Sequence, residues 1–233
     1  MSIDKRTVMI TGAAGHLGRA VAAHFAEAGA SLVLVDRQAE ALAAAFGADT
    51  RHLTCTADLL DAAQVQAALA AGIERFERID VLCHLAGGFR MGEAVHETSD
   101  STWNFLFDIN ARTLLNLARA VVPHMIERGG GKIVAVGAFA AQKGVASMGA
   151  YVASKSSVIR LVEAMSAESK ERHVNVNCVL PTIIDTPDNR LAMPDVEPSR
   201  WVSPQALAEV IAFLASDAAR AIHGAAVPVT GLS

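Results

Sequence analysis

The sequence predicts an α/β fold: a doubly wound, mainly parallel seven-stranded sheet with helices on both faces. Three observations predict it. Strand-like apolar runs alternate with stretches of helical periodicity along the 233 residues, which is the pattern of successive βαβ units. The first run leads into a glycine-rich turn, Gly12-Ala-Ala-Gly15-His-Leu-Gly18, and then into a helix. The composition is 52% apolar and 19% charged, as in a globular chain able to bury a substantial core.

The elements follow in order. Thr7 to Thr11 is a strand, and the helix after the glycines runs to about Ala28, where Gly29 ends it. Ser31 to Val35 is the second strand and closes on Asp36. Glycines permit a tight turn and let backbone approach a pyrophosphate, while the helix N-terminus offers free N–H groups and a favourable dipole. Asp36 lies about 20 residues past the turn, where a carboxylate accepts from a ribose 2′-OH and repels a 2′-phosphate. That favours NAD. Arg37 beside it could hold a 2′-phosphate and keeps NADP open.

A helix over about Glu40 to Phe46 precedes a strand at Arg51 to Cys55, with Asp58 and Leu59 beyond it. A helix from Ala62 to Phe76 precedes the strand Val81 to Leu85, and Ala86-Gly87-Gly88 follows, suited to a ligand close to backbone. Ser99 to Arg128 reads as one long helix with Asn110 in its middle. Lys132 to Val136 is the fifth strand, and Gly137 to Gly149 a small-residue loop. A helix then runs to about Lys170, and Val174 to Leu180 is a sixth strand stopped by Pro181. Residues 182–204 hold four further prolines and no period, so they read as a long loop or substrate lid. Ala206 to Ala215 is the last helix and Ala225 to Val229 the last strand. With no linker or repeat in sight, residues 1–233 read as one domain.

Charge and cysteine usage narrow the function. The net charge is −4 with no basic block, which argues against a nucleic-acid partner. Cys55, Cys83 and Cys178 are widely spaced inside apolar runs, as reduced thiols of a cytoplasmic protein would be, and lack zinc spacing. Asp4, Lys5 and Arg6 precede only a short apolar run, so no signal peptide is expected. No apolar segment approaches the ~18 residues of a membrane span.

Tyr151-Val-Ala-Ser-Lys155 contains the sole tyrosine of the chain. Residues four apart on a helix share a face. An ammonium near a phenol favours the phenolate and lowers its pKa, so the pair could pass a proton to or from a substrate oxygen or nitrogen. Alone, the spacing is common and equally fits a buried tyrosine beside a surface lysine.

Taken together, Thr11-Gly12 with Gly15 and Gly18, Asp58, Ala86-Gly87, Asn110, Tyr151, Lys155, Asn177, Pro181 and Thr186 resemble the short-chain dehydrogenase/reductase family in order and spacing, over the whole chain. The resemblance implies a Rossmann-type fold, an NAD(P) cofactor with NAD preferred, and hydride transfer to or from a small-molecule substrate. It implies Tyr151 as proton donor or acceptor, Lys155 lowering the tyrosine pKa and holding a ribose, and Asn110 anchoring a helix kink. The implied cofactor groove runs over Gly12, Gly15, His16, Leu17 and Gly18, past Asp36 and Arg37, along Asp58, Leu59 and Ala86-Gly87-Gly88. It ends on Tyr151, Lys155, Pro181, Thr182, Ile184 and Thr186. A homodimer or homotetramer assembled through the helices at about 99–128 and 151–170 is implied too.

Three departures from the family pattern stand out. His16 replaces a turn glycine, as a spacer or as a hydrogen-bond donor to phosphate. His84-Leu85-Ala86-Gly87 replaces Asn-Asn-Ala-Gly, with His84 read as a packed strand-end residue. Ala138 stands thirteen residues before Tyr151, where the family carries a serine. Losing an oxyanion donor typically costs ~10²-fold or more in rate; Ser147 is the nearest hydroxyl in sequence that could substitute. The dihydropteridine reductases, a branch that lacks this serine, are similar in the turn, in Leu82-Cys83-x-x-Ala86-Gly87-Gly88-Phe89, and in Val179-Leu180-Pro181 through Met193-Pro194. A quinonoid dihydropterin needs a proton at nitrogen more than an oxyanion site. The alternatives are a 3-oxoacyl or carbonyl reductase, an alcohol dehydrogenase, and a nucleotide-binding protein that has lost turnover and serves as a sensor or a partner subunit.

Overall fold

The computed structural model describes residues 5–47 and 49–233. Seven parallel strands form one sheet in the order β3-β2-β1-β4-β5-β6-β7. They are β1 (Thr7–Thr11), β2 (Ser31–Asp36), β3 (Leu53–Thr56), β4 (Val81–His84), β5 (Gly131–Val136), β6 (Val174–Pro181) and β7 (Ala226–Val229). The helices are α1 (His16–Glu27), α2 (Ala39–Phe46), α3 (Ala62–Phe76), α4 (Asp100–Phe107), α5 (Thr113–Glu127), α6 (Gly149–Ser169), α7 (Pro187–Ala192) and α8 (Pro204–Ala215).

The strands are apolar throughout because both faces are covered. Along β1 the side chains alternate: Met9 belongs to one core layer, Val8 and Ile10 to the other. The first layer is filled from α3, α5 and α6 by residues such as Leu69, Leu117, Val121 and Val162. The second is filled from α1, α2 and α8 by Val21, Phe25, Leu42 and Ile211. Burying each such side chain stabilises the fold by roughly 1.5–3 kcal/mol before conformational entropy is subtracted. The winding direction reverses between β1 and β4, which leaves a crevice at the C-terminal ends of those strands, the usual ligand position in such sheets.

Four expectations need correction. Strand β3 begins at Leu53, because Arg51 donates its backbone N–H (3.0 Å) and its guanidinium to Asp49 and closes a turn there. The helix expected over 99–128 is broken into α4 and α5 by a π-helical turn at Asp108–Arg112. The loop 137–149 contains a 3₁₀ turn at Phe139–Gln142. The stretch 182–204 is not structureless: α7 starts where the Thr186 hydroxyl accepts from Asn189 N–H, with Pro187 at its first position. Ile184 and Val202 form a parallel bridge across the segment.

Candidate active site

The π-helical turn turns Asn110 into the protein, where it is 1% exposed. Its Oδ1 accepts from the Gly88 N–H (3.0 Å). Its Nδ2 donates to the Gly88 carbonyl (3.1 Å) and to Ser154 Oγ (3.0 Å). Ser154 Oγ donates in turn to the Tyr151 carbonyl (2.8 Å). One amide therefore ties the end of β4 to the first turns of α6. A π turn is favoured only where something compensates its poorer backbone packing, and such turns concentrate at functional sites. A Cβ on Gly87 would stand 3.0 Å from both Asn110 Oδ1 and Lys155 Nζ, so only glycine leaves that space open.

Lys155 is buried and donates to the Val136 carbonyl (2.8 Å). Burial in low dielectric brings its pKa down to about 8. Burial pushes the Tyr151 phenol the other way, up to about 12. The shift runs opposite to the expected lowering, because desolvation of the phenol dominates it. The Tyr151 phenol is protonated at neutral pH. The Phe89 ring meets it edge-on, with centroids 4.8 Å apart and planes at 84°. Phe89 is itself 53% exposed.

A hollow of about 240 Å³ adjoins Tyr151, walled by Arg90, Met91, Thr98, Ser147 and Met148 among others. Ala138 is buried and begins the 3₁₀ turn, so the family serine's position carries no hydroxyl. Of the hydroxyls on the hollow's wall, Thr98 is bound to the Ala94 carbonyl and Thr102 to Glu93. Ser147 makes no side-chain hydrogen bond to a described residue and is held at φ 58°. Its carbonyl accepts from Gly92 N–H (2.8 Å), pinning the loop after β4 to the loop before α6.

At the other end of the crevice Gly12 takes φ 69°, and a Cβ there would lie 2.8 Å from Ala86 N. A Cβ on Gly18 would collide with the Gly12 carbonyl and come within 2.6 Å of the Ala13 carbonyl. Gly15 caps α1 without a side chain. The N–H groups of His16, Leu17 and Gly18 have no backbone or side-chain acceptor among the described residues. They are the donors that an anion at a helix N-terminus takes up. His16 itself is exposed at the first position of α1.

Asp36 Oδ2 accepts from Ala14 N–H (3.1 Å) and Oδ1 from Gln38 N–H (3.2 Å), so the carboxylate also braces the glycine turn. Arg37 is exposed. Asp58 is exposed and accepts from Leu60 N–H; Leu59 is buried. Asn116 Nδ2 holds the Leu59 carbonyl (2.9 Å), a support that sequence reasoning missed because Asn116 reads as one more residue of a helix. Pro181 ends β6, and Thr182 Oγ1 bonds the Thr230 carbonyl (3.0 Å). Thr186 caps α7, so its hydroxyl oxygen is already in use.

His84 is fully buried between two threonines. Thr113 Oγ1 donates its one proton to the Ile109 carbonyl (2.7 Å), so at 3.3 Å it accepts from His84 Nε2–H. Nδ1 then accepts from Thr11 Oγ1 (2.8 Å). Burial, with the Lys155 charge adding to it, lowers the His84 pKa to about 3. His84 is a neutral strut between the glycine turn and the kink, in line with its reading as a packed residue.

The orphaned N–H row, the glycine cradle and the Tyr–Lys–Asn cluster at the end of a doubly wound sheet define a Rossmann-type oxidoreductase. Residues 6–196 match the model of the short chain dehydrogenase family. The chain is 36% identical to a D-threitol dehydrogenase of Mycolicibacterium smegmatis, over 98% of this chain and 93% of that one. It superposes on levodione reductase with a TM-score of 0.91 and 31% identity, covering 98% of this chain and 97% of that one. A carveol dehydrogenase from Mycobacterium avium in complex with NAD gives a TM-score of 0.90 at 28% identity, covering 99% and 98%. The chain belongs to the short-chain dehydrogenase/reductase family. No helix among the described residues is long and apolar enough to cross a membrane.

Proposed function

We propose that the protein is an NAD-linked reductase of a small carbonyl or conjugated-ring substrate, with Tyr151 as its proton donor. The observation that carries this is a phenol kept protonated by burial, to about pH 12, beside the network of Lys155, Asn110 and Ser154. The residues fit the cofactor. Gly12, Gly15 and Gly18 keep the cradle clear and the N–H groups of residues 16–18 receive a pyrophosphate. Asp36 receives a ribose and disfavours a 2′-phosphate. Asp58 and Leu59 border the base, and Ala86, Gly87, Gly88, Pro181, Thr182, Ile184 and Thr186 border the nicotinamide half. A reduced nicotinamide held there supplies a hydride. Tyr151 gives its proton to the substrate atom that gains charge. Lys155, one helical turn away, stabilises the phenolate left behind.

The substrate class follows from what surrounds Tyr151. The exposed Phe89 ring offers a flat apolar wall, and Ala138 offers no hydroxyl. A ring that accepts hydride readily and needs its proton at nitrogen, such as a quinonoid dihydropterin, suits that site. A simple ketone needs a donor in place of the missing serine, and Ser147 is the hydroxyl on the wall that is uncommitted. Residues 182–204 serve as the substrate lid. The α4–α5 and α6 surfaces, where Trp103 stacks on Phe107 at 4.4 Å and stays 45% exposed, pair the chain into a homodimer or homotetramer.

NADH and NADPH oxidation with quinonoid dihydropterin, a cyclic diketone, a keto-polyol and a 3-oxoacyl thioester tests this reading. Tyr151→Phe is expected to cut turnover by roughly 10²–10⁴-fold and leave NADH binding unchanged. Retained turnover in that variant would remove Tyr151 as the donor. Tight nucleotide binding with no turnover on any substrate would favour a sensor.

A further inference from the structure

The N-terminal ends of the strands lie opposite the crevice just described. A cleft of about 640 Å³ opens there, against the starts of β1, β5 and β6. Six cationic side chains line it: Lys5, Arg6, Arg78, Lys132, Lys170 and Arg220. Two carboxylates oppose them, Asp80 and Asp217, a surplus of four positive charges in one cleft of a chain whose net charge is −4. Both carboxylates are engaged. Arg6 pairs with Asp217 at 2.6 Å, and Arg78 with Asp80 at 2.5 Å. Asp80 also accepts from Thr7 N–H. Lys5, Lys132, Lys170 and Arg220 form no ion pair with a described carboxylate.

Lys132 is the informative one. It is 8% exposed, yet among the described residues its ammonium has a single hydrogen-bond partner, the neutral side-chain oxygen of Asn175 (2.5 Å). Asn175 is fixed in turn, since its Nδ2 donates to the Arg220 and Ile222 carbonyls at 3.0 Å each. A buried charge with no direct ion pair is costly: the Asp217 carboxylate, paired with Arg6, favours this one only from beyond ion-pair distance, and the ammonium keeps two donors to spare. The negative ends of helix dipoles account for basic residues near helix C-termini. That explains Lys170, just after α6, and Arg220, which closes the 3₁₀ turn at 217–219 and donates to the Asp217 carbonyl (3.4 Å). It does not explain Lys132, which lies inside β5, nor Lys5. The floor beside them is Gly129-Gly130-Gly131. The three N–H groups are spent on the Ile126, Met125 and His173 carbonyls, and a Cβ at Gly129 would meet nothing within 4 Å. Recognition in the cleft therefore rests on side-chain cations around open space.

We propose that this cleft binds a small multiply charged anion bearing phosphate or carboxylate groups, bridging the Lys132 ammonium to Lys170 and Arg220. The volume is that of a small-molecule site. No Phe, Tyr or Trp lines it for base stacking, which argues against a nucleic-acid strand. Arginine forks and ammonium groups hold either anion class.

Calorimetric titration with sodium triphosphate and with citrate, at low chloride and with and without saturating NADH, tests the site. Submillimolar binding of one anion per chain, unchanged by NADH, is expected. The stronger of the two ligands assigns the site to phosphate or to carboxylate chemistry. The Lys170→Ala/Arg220→Ala double variant changes two exposed positions and is expected to weaken binding at least tenfold while leaving NADH affinity intact. Lys132→Met is expected to do the same. Absence of binding by both anions, displacement by NADH, or full affinity in the double variant would overturn the proposal.

Discussion

The neutral His84 strut implies an acid-sensitive fold, and the effect can be worked out. The imidazole ionises at about 3 in the folded chain against 6.5 when free. Between those values the unfolded chain binds a proton that the folded one refuses, so stability falls as pH falls. The slope approaches about 1.4 kcal/mol per pH unit, and from pH 7 to pH 5 the loss is about 2 kcal/mol. His52 and His124 are also held below the usual imidazole value, chiefly by burial, and act in the same direction. A comparison with one variant separates them. His84→Asn installs the amide typical of the family, removes the titrating group, and leaves the other two histidines in place.

Urea unfolding at fixed protein concentration, followed by circular dichroism at pH 7 and pH 5, measures the difference. The wild-type chain is expected to lose about 2 kcal/mol more than His84→Asn over that interval. Equal losses, within about 0.5 kcal/mol, would mean that the histidine is protonated in the fold or reaches water. The threonine clamp would then be wrong. NADH affinity should follow the same trend, since Thr11 leads into the glycine turn and Thr113 closes the kink.

Three further outcomes are expected. Asn110→Ala strips partners from both Gly88 backbone groups and from Ser154, and should destabilise the fold by roughly 2–5 kcal/mol; a loss below about 1 kcal/mol in urea unfolding would show that the π turn holds without the amide. Asp36→Ala should lower the NADH over NADPH preference at least tenfold in kcat/KM and cost about 1–2 kcal/mol through the freed Ala14 N–H; an unchanged ratio would take Asp36 off the ribose. Lys155 ionises near 8 in the fold and near 10.5 outside it, so its burial is a penalty below pH 8 that fades as pH rises toward 10.5. Relative to Lys155→Met, the wild-type chain should therefore gain about 3 kcal/mol of stability between pH 8 and pH 10.5, read from urea midpoints; a flat difference would place the ammonium in water.

The parts legible in the sequence are those fixed by local sterics. Gly12 sits at positive φ against Ala86, and Gly18 leaves no room for a Cβ, so the turn can be read from residue type. The strands can be read because two covered faces demand unbroken apolar runs. The π turn could not be read from residue type, because residues 108–112 are as helix-compatible as their neighbours and contain no Pro or Gly to mark a break; only the family resemblance points to a kink at Asn110. Helix α7 was legible and missed: Thr186-Pro187 is a capping residue followed by a proline at the first helical position, as Ser203-Pro204 is for α8.

Desolvation and charge convergence lie beyond any local pattern. The spacing of Tyr151 and Lys155 names the pair, but the direction of each pKa is set by depth in the fold, which no local spacing shows. The same holds at the far end of the sheet. No stretch of the sequence is strongly basic, yet a parallel sheet brings all its strand starts to one edge. Cations that precede or open separate strands, Arg6 before β1, Arg78 before β4 and Lys132 within β5, arrive there together. A doubly wound fold therefore gathers functional side chains at both ends of its strands. The carboxyl end is marked by glycine motifs that sequence reading finds, because close approach to backbone forces residue type. The amino end carries no such steric requirement, and a site there shows only as charge brought together by topology.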